Sequence, residues 1–189
     1  RRVGRRAHDG DDGERRAVTR LVNFGSLNID HVYRVDHIVM PGETLAGDSY
    51  EVFAGGKGGN QSAALALAGA AVTHAGRIGE DGRWLRDELE QLGVDVSSIV
   101  VNPEIPTGHA VIQVEADSGQ NAIFLYPGGN HRITQAQIDT IFTTDCEPCI
   151  LLLQNEINST LDLITNAATH GWSICLNPAP FTADVDGWP

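Results

Sequence analysis

Lysine is nearly absent from this sequence of 189 residues: Lys57 is the only one. Where surface positions have abandoned lysine, one kept inside an uncommon glycine-rich loop is expected to have a task. Cysteine is also scarce. Cys146, Cys149 and Cys175 are an odd number, which argues against a disulfide framework and for a reducing cytoplasm. The pair in Cys146-Glu147-Pro148-Cys149 lacks the second pair of a zinc site and precedes a strand, so ordinary thiols are expected rather than a redox or metal pair. Long apolar runs are missing as well. None approaches the roughly eighteen residues needed to cross a bilayer, and the arginine-rich start lacks the apolar stretch of a secretory signal. A soluble, cytoplasmic protein without a membrane partner is the expectation.

Positive charge is short outside the start of the chain. Residues 1–20 hold seven of the thirteen basic side chains, leaving six basic against twenty-one acidic groups in residues 21–189. That acidic body would repel phosphate backbones, so nucleic-acid binding is disfavoured. Arg1-Arg2 and Arg5-Arg6 suit contact with RNA or an anionic lipid, but their low-apolar surroundings read as a disordered basic leader over residues 1–19.

What remains, residues 20–189 with 41% apolar content over the whole chain, suffices for one domain with a sizeable core. Leu21-Val22-Asn23-Phe24 reads as a buried strand stopped by Gly25. Residues 47–53 suit an extended strand, broken by Gly55 to Gly59. Asn60 to Ala71 is a run of strong helix formers, apolar nearly all round, and predicts a buried helix with Asn60 in its first turn or at its cap. Further on come strand 72–75, helix 83–92 closed by Gly93, a strand near 98–101 and a hairpin of strands 108–115 and 121–126 around Asp117-Ser118-Gly119. Helix 134–142, strand 149–153, helix 159–169 and strand 172–176 complete the pattern. Alternating strands and helices predict a doubly wound α/β domain: a mainly parallel sheet with helices on both faces. Two stretches, near 35–54 and 108–126, break the rhythm and read as a small β-sheet flap above it.

Ligands of such sheets bind beyond the carboxyl ends of the strands, and three places there carry polar residues. In Gly25-Ser26-Leu27-Asn28-Ile29-Asp30, an extended backbone points Asn28 and Asp30 to one side. A carboxylate and an amide together suit a polyhydroxylated ligand, while an Asx-type turn explains the same residues. Gly55-Gly56-Lys57-Gly58-Gly59-Asn60 fails as a nucleotide P-loop, since Glu51 and Gly58 stand where that pattern needs Gly and Ser or Thr. It offers close backbone approach, free N–H groups at a helix start and one cation, which together suit hydroxyls or an anion. Gln154-Asn155-Glu156 follows the apolar Ile150-Leu151-Leu152-Leu153, and Glu156 reads equally as a ligand contact or a solvated loop acid.

Taken in order, these motifs resemble the ribokinase, or PfkB, family of sugar kinases. Gly25 to His31 is similar to the family's first sugar-binding strand end, Pro41-Gly42-Glu43-Thr44 to its entry into the lid, and Gly55 to Gln61 to its glycine signature, with Ser62, Gly69 and Gly79 at the matching spacing. Gly79 to Gly82, Gly93-Val94-Asp95, Thr107-Gly108, Gly128-Gly129-Asn130 and Asn177-Pro178-Ala179-Pro180 follow the same pattern, so the resemblance spans about residues 20–189. It implies a β-sheet lid, a homodimer formed through that lid, and transfer of the ATP γ-phosphoryl group to the primary hydroxyl of D-ribose. Fructose, adenosine or a sugar acid as substrate, or a non-catalytic sugar-binding module, are the alternatives. The resemblance further implies substrate contacts at Asn28, Asp30, Gly55, Gly56, Lys57, Asn60 and Glu156, with Ala110 and Ile112 against the sugar's apolar side. ATP and Mg2+ are implied as cofactors, with room for a monovalent cation such as K+. The family's catalytic aspartate, anion hole and ATP pocket lie in a later Asp-Thr-x-Gly-Ala-Gly-Asp-like segment that this sequence lacks. The base and the ATP site are therefore expected beyond Pro189, with the C-terminal part of the fold missing, no metal ligand among these residues and no kinase activity from this polypeptide alone.

Overall fold

The computed structural model describes residues 19–143 and 149–182; residues 1–18 of the basic leader and Cys146 lie outside them. In chain order the strands are β1 (Arg20–Phe24), β2 (Asn28–Val35), β3 (Ser49–Gly55), β4 (Val72–Ile78), β5 (Asp95–Val101), β6 (Gly108–Glu115), β7 (Asn121–Tyr126), β8 (Cys149–Gln154) and β9 (Ser173–Asn177). The helices are α1 (Lys57–Leu67), α2 (Arg83–Gln91), α3 (Gln135–Ile141) and α4 (Thr160–Thr169). No helix among the described residues is long and apolar enough to cross a membrane.

Five strands form a parallel sheet of order β5-β4-β1-β8-β9. Helices cover both of its faces, which is why β8 can be a continuous apolar run. On one face Val22, Phe24, Leu151 and Leu153 pack against Ile138 and Ile141 of α3 and Leu163, Ile164 and Ala167 of α4. On the other, Val72, Ile78, Val96 and Ile99 meet Leu85 and Leu89 of α2, one helical turn apart, with Ala63 and Ala66 of α1 beside them. Burying each such large side chain contributes about 1.5–3 kcal/mol. The chain runs outward from β1 to β4 and β5, then returns to β8 and β9 on the other side of β1. The order therefore reverses between β1 and β8, where a crevice opens.

A second sheet, of order β3-β2-β6-β7, stands beyond that end of the strands. Its β2–β6 pair is parallel and its β2–β3 and β6–β7 pairs are antiparallel. The hairpin β6–β7 has the expected bounds. The new element is β2: the second sheet takes in residues 28–34 as well, ahead of the segment that begins near 35. Polar side chains at Asn28, Asp30, His31 and Arg34 hide this strand from a search for apolar alternation, and its pairing partners lie far along the chain.

Helix α1 also departs from expectation. It starts at Lys57 rather than Asn60, behind Gly56, and stops at Leu67. Gly69, with φ of 86°, ends it: Ala70 N donates to Leu65 O at 3.0 Å and Gly69 N to Ala66 O at 2.9 Å, the paired bonds of a left-handed helix stop. Nor is α1 buried all round. Only Gly58, Gly59 and Ser62 are fully inside, and Leu67 is 75% exposed. A helix lying on a sheet buries the side it lays down, and here that side consists of its smallest residues.

Candidate functional site

Three chain segments meet in the crevice. Ser26 follows β1, Lys57 opens α1, and Glu156 lies two residues past β8. The Glu156 carboxylate joins them. One oxygen, Oε2, accepts from Ser26 Oγ at 2.5 Å and from the Lys57 backbone N–H at 2.9 Å; the other, Oε1, accepts from Lys57 Nζ at 2.6 Å. The only lysine is therefore committed to a partner 99 residues away. Burial works against the charge on Glu156, but the hydrogen bonds from Lys57 and Ser26 outweigh it and hold the carboxyl below the ordinary glutamate range.

The N–H groups expected to be free at the start of α1 are taken. Lys57 N goes to Glu156, Gly58 N to Ser26 Oγ at 3.3 Å and Gly59 N to Ser26 O at 2.9 Å. The positive end of the helix is thus satisfied by a carboxylate of the same chain. This removes the main argument for an anion at the glycine turn and leaves hydroxyl recognition.

Asp30 is in the opposite condition. It is half-buried, and no side chain or backbone group among the described residues donates to its carboxylate. Burial, then the charge of Glu156, push its pKa up, against smaller opposing effects of His31 and Lys57. Two neighbouring carboxyl groups are thus driven apart in pKa, one paired and one left to seek donors. Beside Asp30, Asn28 Oδ1 accepts from Asn130 Nδ2 at 2.7 Å, and no group among the described residues accepts from the Asn28 amide nitrogen. Asn130 also clasps the turn before β2 through Leu27, accepting from its N–H at 3.0 Å and donating to its carbonyl at 3.2 Å. Asn60 is exposed on the first turn of α1, and its side chain has no hydrogen-bond partner among the described residues.

The second sheet supplies an apolar wall. Its register sets Asp30 opposite Ala110, Ala110 opposite Leu125 and Ile112 opposite Ile123, so alternate residues of β2, β6 and β7 share the face above the crevice. Together these groups line one cavity of about 210 Å3. Sites for drug-sized ligands run to about 300–1,000 Å3, so this one suits something smaller.

Of the nine residues singled out from sequence, the cavity gathers Asn28, Asp30, Gly56, Lys57, Asn60, Ala110, Ile112 and Glu156. Gly55 does not line it. Gly55 sits behind Asp30, where an added Cβ would overlap the carboxylate, so it makes room rather than contact. Sequence reasoning missed Ile123 and Leu125, because β7 is apolar on both faces and only its register against β6 tells which side chains turn inward. It also missed Ser26, a lone hydroxyl in a turn with nothing local to mark it.

A pfkB family carbohydrate kinase profile matches residues 18–167. The ribokinase of Haemophilus influenzae is 37% identical over 164 residues, 85% of this chain and 53% of that protein. Among solved structures, the Cryptococcus neoformans ribokinase in complex with ADP superposes with a TM-score of 0.77 at 36% identity, over 89% of this chain and 53% of that one. The Arabidopsis thaliana ribokinase complexed with ribose and ATP gives 0.72 at 28% identity, over 85% and 53%. The chain thus spans about half the length of these relatives. With the profile covering most of it and both ribokinase folds superposing on it, the chain belongs to the pfkB family of carbohydrate kinases.

Proposed function

We propose that the cavity binds a neutral sugar, D-ribose, for transfer of the ATP γ-phosphoryl group to its primary hydroxyl in a cytoplasmic, ribokinase-type reaction. The observation that carries this reading is the half-buried Asp30 carboxylate without a donor among the described residues, set between amides and an apolar wall. Such a carboxylate accepts from sugar hydroxyls, Asn28 and Asn60 give and take hydrogen bonds, and Ala110, Ile112, Ile123 and Leu125 face the ring's C–H side. With Lys57 paired to Glu156 and Asp30 unpaired, the lining carries one net negative charge, which disfavours a sugar acid. ATP, Mg2+ and a monovalent cation such as K+ belong to the reading as co-substrate and ions. No group of three or more His, Cys, Asp or Glu among the described residues is arranged to hold a metal ion. Both cavity carboxylates are given to binding, and the base that takes the hydroxyl proton is assigned to none of the described residues.

Calorimetric titration of the chain with D-ribose, D-fructose, adenosine and D-gluconate tests the assignment. Ribose should bind most tightly and gluconate not at all. Tighter binding of gluconate or adenosine would overturn it.

The same reading includes a homodimer through the second sheet. On the face turned away from the cavity, Tyr50, Val52, Phe124 and Tyr126 are all exposed, a large apolar patch for a monomer. Sedimentation should find a dimer, and Phe124→Glu should shift it to monomer; a monomeric parent would refute this contact.

A further inference from the structure

Beneath the glycine turn lies a polar chain that the sugar contacts do not use. Asn23 of β1, His74 of β4 and Gln154 at the end of β8 point to the α1 side of the sheet, where Asn23 and His74 meet Ser62 of α1 and Gln154 meets Asn23, all four with no exposed surface. Asn23 spends both amide hydrogens, one on Gly58 O at 2.8 Å and one on Ser62 Oγ at 2.7 Å, and its carbonyl accepts from Gln154 Nε2 at 2.8 Å. Gln154 Nε2 also donates to Gln61 Oε1 at 2.5 Å. Ser62 has a single proton. Accepting from Asn23 and having no other acceptor among the described residues, it gives that proton to His74 Nδ1, 2.8 Å away. His74 is then a neutral imidazole carrying its proton on Nε2, in keeping with burial that lowers its pKa to about 4.

We propose that Asn23, Ser62 and His74 are positioning residues: a one-directional hydrogen-bond relay that fixes the first turn of α1 on the sheet and thereby sets where Lys57 meets Glu156 at the cavity. The inference rests on the sugar-binding reading of that cavity. Its geometric basis is the Asn23 amide, which grips the carbonyl of Gly58, the residue next to Lys57. Its energetic basis is the cost of the arrangement. Buried polar groups stabilise little unless every partner is present, and apolar side chains of like size would pack the same space at no such cost. This relay even leaves Gln154 Oε1 without a partner among the described residues, and offers His74 Nε2 only the Gly25 carbonyl, outside good hydrogen-bond geometry. What polar bonds add over apolar packing is a defined direction and height for the turn.

The test replaces the relay by apolar residues of matching size, Asn23→Leu with Ser62→Ala and His74→Phe, in the full chain. Three quantities are read: thermal unfolding, ribose affinity by calorimetry, and the 13C-detected titration of the Glu156 carboxyl. The variant should unfold cooperatively near the parent temperature. Its ribose affinity should fall about tenfold, the loss expected when one hydrogen bond to a ligand is misaligned, and Glu156 should titrate closer to an ordinary glutamate. A folded variant with parent affinity and parent Glu156 titration overturns the proposal. Should the triple variant not fold, Ser62→Ala alone decides, with a loss of about threefold and the same direction of Glu156 shift expected, and no change in either refuting it. If the parent binds no ribose, the sugar reading fails by itself, while the Glu156 titration still judges the relay. In the parent, 15N shifts of His74 should show Nε2 protonated and Nδ1 bare; a protonated Nδ1 contradicts the relay's direction.

Discussion

Asp30→Ala is expected to weaken D-ribose binding by about 2–4 kcal/mol, because it removes a charged acceptor and strands the hydroxyls that bonded to it. In dissociation constants that is about 30-fold to 1,000-fold, read by calorimetry on the chain. Stability should move the other way. The folded Asp30 carboxyl has its pKa raised above 3.8, first by burial and then by the charge of Glu156, so the folded state holds that proton more tightly than the unfolded state does. This contribution to stability is fully present below pH 3.8 and is lost as the pH rises through the folded pKa. At neutral pH the carboxylate is thus a net cost to the empty protein. Asp30→Asn should raise the unfolding temperature at pH 7 and leave it unchanged near pH 3. Such opposition between stability and binding marks a residue kept for its ligand. Parent affinity in Asp30→Ala, or a less stable Asp30→Asn at neutral pH, would remove Asp30 from the site.

The features that sequence made legible are those written locally. An apolar run stopped by glycine marks β1, Asp117-Ser118-Gly119 marks the β6–β7 hairpin, and Gly93 marks the end of α2. The rule that ligands sit beyond strand ends then pointed to Gly25–Asp30, the glycine turn and Glu156, and from these Asn28, Asp30, Gly56, Lys57, Asn60 and Glu156 line one cavity. The illegible features depend on distant partners. The polar strand β2 is held by pairing with β3 and β6. The Lys57–Glu156 pair turns an apparent anion site into a satisfied one. For Ile123 and Leu125, the facing side is set by register and not by pattern.

The glycine turn gives the sharpest separation between local propensity and tertiary contact. Alanine is better than glycine in a helix by about 1 kcal/mol, and both Gly58 and Gly59 lie in the first turn of α1. Propensity alone would make either alanine substitution stabilising. The surroundings differ, however. A Cβ on Gly58 would lie 2.5 Å from Gly25 C and from Ser26 N, backbone atoms of the β1 exit that cannot turn aside. On Gly59 it would lie 2.9 Å from Leu27 Cδ2, the tip of a side chain that can. Gly58→Ala should therefore lift α1 off β1, pull the Asn23 amide from the Gly58 carbonyl and separate Lys57 from Glu156. The expected loss is about 2–4 kcal/mol of unfolding free energy in urea, together with ribose binding. Gly59→Ala should stay within about 1 kcal/mol of the parent and keep its ligand. If both substitutions behaved alike, close packing of α1 on the β1 exit would not be what places Lys57, and the account of the cavity built on that contact would fall.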